Sequence, residues 1–474
     1  MTAAAASLTA GVPDHTAALV AHVVDATFER LPPEAVRVAK LFVLDTLGTL
    51  LAGTSAPACG ELVEQLEEWG GRAEATVLHF GSRLPSPAVV LANATLAEAR
   101  DFDDTHGPGL VHTMAPTLFP ALAMAEMRGG ASGKALLTAV IPAVDVMARL
   151  GLASTTPLTW TRTSTLGGMA AALAAGKLLG LPHQTVWDAV GIAYCQAAGN
   201  SQTIVDGALC KRMQVGFAAR AGVLGIALAR RGVTGPRQVL EGKHGYFQLY
   251  ERGNYHPEAL AEGLGERYET VNLSVKPYPC ARDTHAAVDA AFELVARHDP
   301  AAADIASVVV RASGMVRDLF GKPFASITGN PVVEAILSVP YAVAAVLVRR
   351  DLFIGDFEPA VIADPVVGDL ARRVEVAVDP ALPPAALTPV TLEARLRDGR
   401  VLTARVDVMR GDPGRPLSPV EFEEKFRRCA AYARWPVEQA TLDRVVETVD
   451  RLEQVADVRE LVRLLGPGRR AAPA

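Results

Sequence analysis

The stretch STLGGMAAALAAGKLLGL, residues 164–181, decides the fold class. It is too long for a strand, carries a single charge at Lys177, and places its apolar residues at helical spacing. Alanine and glycine dominate it, so the helix it predicts lets neighbouring helix backbones come close. The same small-residue pattern returns at Gly216, Ala219, Gly222 and Gly225, three residues apart. Towards the N-terminus the reading repeats: residues 41–51 (LFVLDTLGTLL), 88–99 (AVVLANATLAEA), 117–126 and 134–148 each exceed strand length with helical periodicity. From about Thr16 to Leu264 the chain therefore reads as helix after helix.

Towards the C-terminus the texture changes near Val271. SVVVRAS (307–313) is short and β-branched, VEVAVDP (374–380) alternates, and TLEARLRDGRVLTARVDV (391–408) alternates on both sides of Asp398-Gly399. That dipeptide predicts a hairpin with a type I′ turn, whose two central residues need positive φ. Helices are expected at 284–297 and 331–348. After Pro416 the chain turns helical again: Ser418 and Glu421 form a capping pattern ahead of EFEEKFRRCAAYA (421–433), and 437–465 follows with regular charge spacing. The expected architecture is mainly α. Residues 1–271 and 405–474 form a large all-helical domain from both chain ends, and residues 272–404 form a smaller inserted α+β lid domain.

Composition narrows the function classes. The chain has 474 residues, half of them apolar, with 46 Lys+Arg against 52 Asp+Glu. A disordered or collagen-like chain is excluded, and a net charge of −6 without a basic stripe argues against a nucleic-acid partner. Five scattered cysteines without a C-x-x-C pair suit a reducing cytoplasm rather than a disulfide framework or thiolate metal site. The first residues lack a secretory pattern and read as a loose tail, GRRAAPA (468–474) reads as a frayed end, and no stretch is good material for a membrane span. GGASGKA (129–135) resembles a phosphate loop, but Arg128 replaces its first glycine and Ala135 its hydroxyl residue, so nucleotide binding is disfavoured.

Three polar clusters remain inside this apolar chain. In ARDFDDTHGPGLVHTMAP (99–116), Asp101 and Thr105 share a face if the preceding helix persists, with Asp103 and Asp104 beside them and His106 and His112 following. Carboxylates and imidazoles this dense suit an acid/base or cation-binding site, or else a solvated helix end. KRMQVG (211–216) puts Lys211 and Arg212 at a helix start, where cations oppose the macrodipole but suit an anionic ligand. KPYPCARDTH (276–285) sets Lys276, Tyr278, Arg282 and His285 before another helix.

These clusters, in this order, resemble the MmgE/PrpD family, which includes 2-methylcitrate dehydratases, cis-aconitate decarboxylases and iminodisuccinate epimerases. The resemblance rests jointly on LDTLGTLLAG (44–53), DFDDTH (101–106) with His112, TLGGMAAALAAGKLLGL (165–181), residues 206–247 and KPYPCARDTHAAVDAA (276–291). It implies a helical domain with an α+β lid, a homodimer, and a site in the cleft between the two units. It also implies functional roles at Asp101, Thr105, His112, Lys211 and Lys276. The chain departs from the family pattern at three points: Thr161, Gln214 and Ala281 stand where decarboxylase or family histidines are expected.

The expected activity is that of a cofactor-independent lyase of hydro-lyase type, acting on a small di- or tricarboxylate by proton abstraction next to a carboxylate. His112, Asp101, Thr105, Lys211 and His106 are the catalytic candidates. Lys276, Arg212, Arg282, Thr161, Gln214, Tyr278 and His285 are the substrate-binding ones. No metal or other cofactor is required. An epimerase acting on a dicarboxylate such as iminodisuccinate, a cis-aconitate-type decarboxylase, and a non-catalytic carboxylate-binding or scaffold protein remain as alternatives.

Overall fold

The structure, a computed structural model, describes residues 14–157, 159–324 and 330–466. The expected tail at the N-terminus and the end GRRAAPA lie outside the described residues. The long helices are α1 (His15–Val24), α2 (Pro33–Gly53), α3 (Cys59–Trp69), α4 (Ser86–Glu98), α5 (Ala115–Met127), α6 (Gly133–Ala153), α7 (Arg162–Leu178), α8 (His183–Tyr194) and α9 (Gln214–Ala229). α2, α5 and α6 contain the apolar stretches 41–51, 117–126 and 134–148, α4 and α7 overlap 88–99 and 164–181, and α9 carries the small-residue row 216–225.

α7 is the buried axle, packed against α5, α6, α8 and α9. Its small residues do what the pattern predicted. A Cβ on Gly222 of α9 would lie 2.5 Å from the Cβ of Ala171 and 2.6 Å from the backbone nitrogen of Ala172, so only glycine permits this crossing. Gly53 at the end of α2 is tighter still, since a Cβ there would stand 1.8 Å from the carbonyl oxygen of Leu96 in α4. Gly53→Ala is expected to lower stability by about 1–3 kcal/mol, because the added methyl must push two buried helices apart. A urea midpoint equal to wild type would contradict that.

α6 is long and apolar enough to cross a membrane by length and composition, but nearly all of it is buried inside the protein, as in a core helix. The phosphate-loop lookalike before it is a docking surface for the chain's own C-terminal segment. Gly133 N–H donates to the Val455 carbonyl at 2.8 Å, Val458 N–H donates to the Ala131 carbonyl at 2.8 Å, and the Ser132 hydroxyl caps Ala135.

A short pair, β1 (Ala75–Thr76) with β2 (Arg83–Leu84), lies ahead of α4; the insert opens with α10 (His285–His298) and strand β3 (Ile305–Ala312), and ends with β4 (Val374–Val378), β5 (Val390–Leu396) and β6 (Val401–Val406). Sheet order is β4-β3-β5-β6. β3 runs parallel to β4 and antiparallel to β5, which is antiparallel to β6. Alternate residues, Val308, Val310, Leu392, Ala394, Ala404 and Val406, are buried on one sheet face. The helices against the sheet are α10 and α12 (Val339–Arg349). The hairpin stands at Asp398-Gly399, but only Gly399 has positive φ, at 91°. Its N–H reaches the Leu396 carbonyl, and Leu396 N–H reaches Arg400. The connection is thus a three-residue loop with a glycine bulge rather than a type I′ turn.

Two further expectations are corrected. The helix read over 331–348 is two, α11 (Pro331–Ile336) and α12. Ser338 turns extended and caps Tyr341, and Pro340 cannot supply an N–H to the helix before it. The helix read over 437–465 breaks after Asp450 into α14 (Gln439–Asp450) and α15 (Arg459–Leu464), the second started by Asp457 accepting from Arg459 N–H.

α13 (Pro419–Ala430) begins with the predicted capping box of Ser418 and Glu421. It packs on α2, so the last helices share the apolar core of the first ones. A second apolar core, from Tyr278 to Met409, belongs to the insert. The architecture is a mostly helical domain with a smaller β-containing insert.

Candidate active site

The DFDDTH segment is not a continuation of α4. That helix ends at Glu98, and Asp101 adopts left-handed backbone (φ 52°), so Asp101 and Thr105 do not share a helical face as expected. Three sets of bonds hold the loop instead. Thr105 pairs with Ser274 through both backbone groups, at 2.9 and 2.7 Å. Asp104 accepts from Thr113 N–H, the Thr113 hydroxyl and Met114 N–H at the mouth of α5. From below, Lys425 of α13 reaches the Phe102 carbonyl at 2.9 Å and the Asp45 carboxylate at 2.6 Å, with the Phe102 ring beneath it. The Thr105–Ser274 bridge carries the first segment of the insert past the loop, which sets Lys276 beside Asp101.

Glu98, Asp101, Asp103, His112, Lys211 and Lys276 form one cluster. Lys276 Nζ lies 3.0 Å from both the Asp101 carbonyl and Oδ1. Lys211 Nζ lies 2.7 Å from Glu98 Oε1 and 3.1 Å from Asp101 Oδ1. His112 Nδ1 donates to the Asp104 carbonyl at 2.7 Å and stands 3.2 Å from Asp103 Oδ2, which leaves Nε2 as its free edge. Glu98 Oε2 and the Thr105 hydroxyl are buried with no hydrogen-bond partner among the described residues.

The electrostatics follow from these contacts. Burial works against every charge here, and the contacts decide which charges survive. Asp101 is largely withdrawn from solvent, its side chain 17% exposed, yet Lys211 and Lys276 hold its carboxyl well below the ordinary 3.8. Held this low, Asp101 stays ionised and is unsuited to be a base titrating near neutrality. Burial likewise opposes the charge of His112, but the Asp103 carboxylate outweighs it and lifts the imidazole above 6.5, while Asp103 is lowered in return. Burial raises Glu98 more than Lys211 lowers it. The result is an imidazole biased to its cationic form beside an ionised Asp101 held by two ammonium groups.

The other predicted residues take different places. Lys211 and Arg212 sit in a 3₁₀ turn (Leu209–Met213) just ahead of α9 rather than on its first turn. Both ring nitrogens of His106 are taken up by protein groups, Nε2 by Glu269 at 3.1 Å and Nδ1 by Gly109 N–H. Arg282 pairs with Asp412, and the Tyr278 hydroxyl donates to Asp289 at 2.7 Å. His285 is fully buried, Nε2 on the Cys280 carbonyl, and burial first, then Arg282 and Lys276, keep it neutral, well below 6.5. Thr161 and Gln214 meet each other: the Thr161 hydroxyl donates to Gln214 Oε1 at 3.0 Å, and Gln214 Nε2 donates to Thr203. A neutral amide–hydroxyl pair thus stands where two imidazoles were expected from the family pattern.

Sequence reading missed Glu98, the pairing role of Asp103, and the Asp45–Lys425 support. The signals were present: Glu98 is the sole charge in α4, and Asp45 the sole charge in 41–51. A lone acid in an apolar helix has to find a buried cation. A wider surface cleft of about 540 Å³, bordered by Phe28, Lys40, Lys134 and Glu453, contains none of the predicted residues. Among the described residues no group of three His, Cys, Asp or Glu side chains is arranged to hold a metal ion.

Comparison with known proteins covers nearly all of this framework. Residues 17–258 match the MmgE/PrpD N-terminal domain and residues 278–451 the MmgE/PrpD C-terminal domain. The cis-aconitate decarboxylase-like protein oryM of Aspergillus oryzae is 28% identical over 464 residues, covering 92% of this chain and 94% of that protein. The Homo sapiens cis-aconitate decarboxylase is 28% identical over 469 residues, covering 94% and 92%. A 2-methylcitrate dehydratase of Cupriavidus necator is 26% identical over 363 residues, 72% of each chain. With both domains matched and the three polar clusters brought to one loop and its neighbours, the chain belongs to the MmgE/PrpD family.

Proposed function

We propose that the chain is a cofactor-independent lyase of hydro-lyase type acting on a small di- or tricarboxylate. The observation that carries this reading is the His112–Asp103 pair beside Lys211, Lys276 and Asp101. Elimination next to a carboxylate builds charge on an enediolate, which cations stabilise, while a proton leaves carbon and one reaches the departing oxygen. His112 Nε2 is the proton-transferring atom: in the neutral imidazole, whose Nδ1 proton is held on the Asp104 carbonyl, Nε2 takes the proton from carbon, and the imidazolium so formed hands it to the departing hydroxyl, which leaves as water. Lys211 and Lys276 supply the positive field, Asp101 fixes both lysines, and Thr105 offers an uncommitted hydroxyl to the substrate. Arg212 is a separate candidate for the substrate, with its guanidinium on the Pro57 carbonyl. The domain division at 271/272 and 404/405 belongs to this reading, supported by two apolar cores that divide between Val275 and Tyr278 and between Met409 and Leu417. A homodimer in a reducing cytoplasm completes it, with five free cysteines in support of the compartment.

Decarboxylation is the second reading, favoured by full-length relatives named as cis-aconitate decarboxylases. Against it stands the neutral Thr161–Gln214 pair. Incubation in D₂O with citrate, 2-methylcitrate, cis-aconitate and iminodisuccinate, followed by proton NMR, separates the outcomes. A new alkene without loss of carbon is expected. Loss of CO₂ would move the assignment to decarboxylation, and deuterium exchange at carbon without a new alkene would move it to epimerisation. No change in any substrate would overturn the enzyme reading.

A further inference from the structure

Glu98 and Asp101 both hold Lys211, but they are not equivalent. Asp101 has a second cation, Lys276, 3.0 Å from both its Oδ1 and its carbonyl. Glu98 has Lys211 alone: Oε1 accepts from Nζ at 2.7 Å, and Oε2 is buried with no hydrogen-bond partner among the described residues. A carboxylate with one oxygen bare in the interior is a poorly supported anion. Exposure separates the pair further. The Lys211 side chain is 29% exposed and that of Glu98 7%, so an anion arriving from solvent meets the ammonium and not the carboxyl it is paired with.

The charges around Glu98 come from three segments. The 3₁₀ turn supplies Lys211, the loop after α4 supplies Asp101, Asp103 and His112, and the start of the insert supplies Lys276. Asp104 of the same loop is held by Thr113 and Met114, while Arg100 turns to Ala52, Ser55 and Glu358, and Arg212 to Pro57. The other elements packed on α4 bring Asp45 of α2, held by Lys425, the buried Cys59 thiol of α3 and the exposed Arg83 of β2; α5 and α9 bury no titratable group. Glu98, Asp101 and Asp103 thus share two ammonium groups, with His112 drawn to Asp103. A substrate carboxylate on Lys211 adds a further negative charge, which favours protonation of the resident carboxyl with the least support. Asp101 and Asp103 are held below the ordinary 3.8, whereas burial raises Glu98.

We propose that Glu98 is a proton-linked counter-ion of Lys211: when a substrate carboxylate settles on Lys211, one proton from solvent passes onto Glu98, and the ammonium is released to the substrate. The inference rests on the lyase reading and deepens it. Glu98 acts through Lys211 and is a positioning residue. In the free protein it and Asp101 keep Lys211 charged against burial. Once neutral, its Oε1 still accepts the Nζ hydrogen bond but no longer competes for the charge.

Calorimetric binding of tricarballylate, a tricarboxylate without a hydroxyl to eliminate, tests this when run in two buffers of different ionisation enthalpy, which counts the protons taken up. Wild type is expected to take up about one proton more than Glu98→Gln, whose amide keeps an acceptor on Lys211 and cannot titrate. By linkage, raising the pH from 7 to 8 should weaken wild-type binding about tenfold relative to the variant. Thermal unfolding without ligand checks the fold, and Glu98→Met, uncharged and of similar length, takes the place of Glu98→Gln if the latter is not folded. Equal proton counts in the two chains, or the same pH dependence of affinity in both, would overturn the inference. If carboxylates turn over in D₂O while wild type takes up no more protons than the variant, only the role of Glu98 fails. If wild type neither binds tricarballylate nor turns over any carboxylate, the lyase reading fails with it.

Discussion

His112→Ala is expected to lower kcat by about 10²–10⁴, the usual worth of a positioned acid/base group, while leaving the fold intact. Its side chain is 22% exposed, so truncation opens no buried cavity, and Nδ1 contacts only the loop that carries it. Asp103→Asn separates proton transfer from mere packing. Burial disfavours the imidazolium, and Asp103 reverses that. Without the carboxylate the imidazole loses its upward shift, so its cationic form is depleted at lower pH. The acidic limb of the kcat/KM profile, set by the imidazole that must be neutral to take a proton, should then move to lower pH, and an NMR titration of His112 should move with it. Wild-type turnover in His112→Ala, or an unmoved profile in Asp103→Asn, would remove His112 from the chemistry.

Lys276→Met is expected to abolish activity and to destabilise the protein by about 3–5 kcal/mol, because it strands buried carboxylates without a cation. Lys276 is 2% exposed on its side chain and meets Asp101 at 3.0 Å, with Asp103 3.9 Å away. A carboxyl held below 3.8 contributes stability that is present above its unfolded value and lost as pH falls through the folded one. In Lys276→Met that carboxyl rises, so the deficit against wild type is largest at neutral pH and shrinks on acidification. The double variant Lys276→Met/Asp101→Asn should recover much of the loss, since neither charge remains to be stranded. Denaturant unfolding of wild type, Lys276→Met, Asp101→Asn and the double variant at pH 7 and near pH 4 measures this. A single variant as stable as wild type would show that water, not Lys276, solvates Asp101.

Much of the fold was legible because apolar helices announce themselves locally. The stretches 41–51 and 164–181 were readable as buried helices from length and small-residue spacing, and 391–408 as a hairpin from alternation around Asp398-Gly399. Breaks were less legible. The split at Ser338 depends on whether its side chain caps the helix after it or its backbone prolongs the one before, and both are local options of similar energy. The site was legible as a set of polar clusters, not as a geometry. Asp101 was read on a helix that in fact ends at Glu98, since nothing local signals that Lys276, far along the chain, will hold Asp101 in left-handed backbone.

The sequence by itself determined the helical class, the β-containing insert, the family and the residue types of the site, because periodicity and clustered polarity are local properties of the chain. The tertiary structure alone decided which of those polar residues act together. Ionisation depends on burial and on charges a few ångströms away, and those neighbours come from distant segments, as Lys276 and Asp101, 175 residues apart, do. The same physics divided the histidines. Asp103 lifts His112 towards its cation, Glu269 and Gly109 occupy His106, and burial keeps His285 neutral.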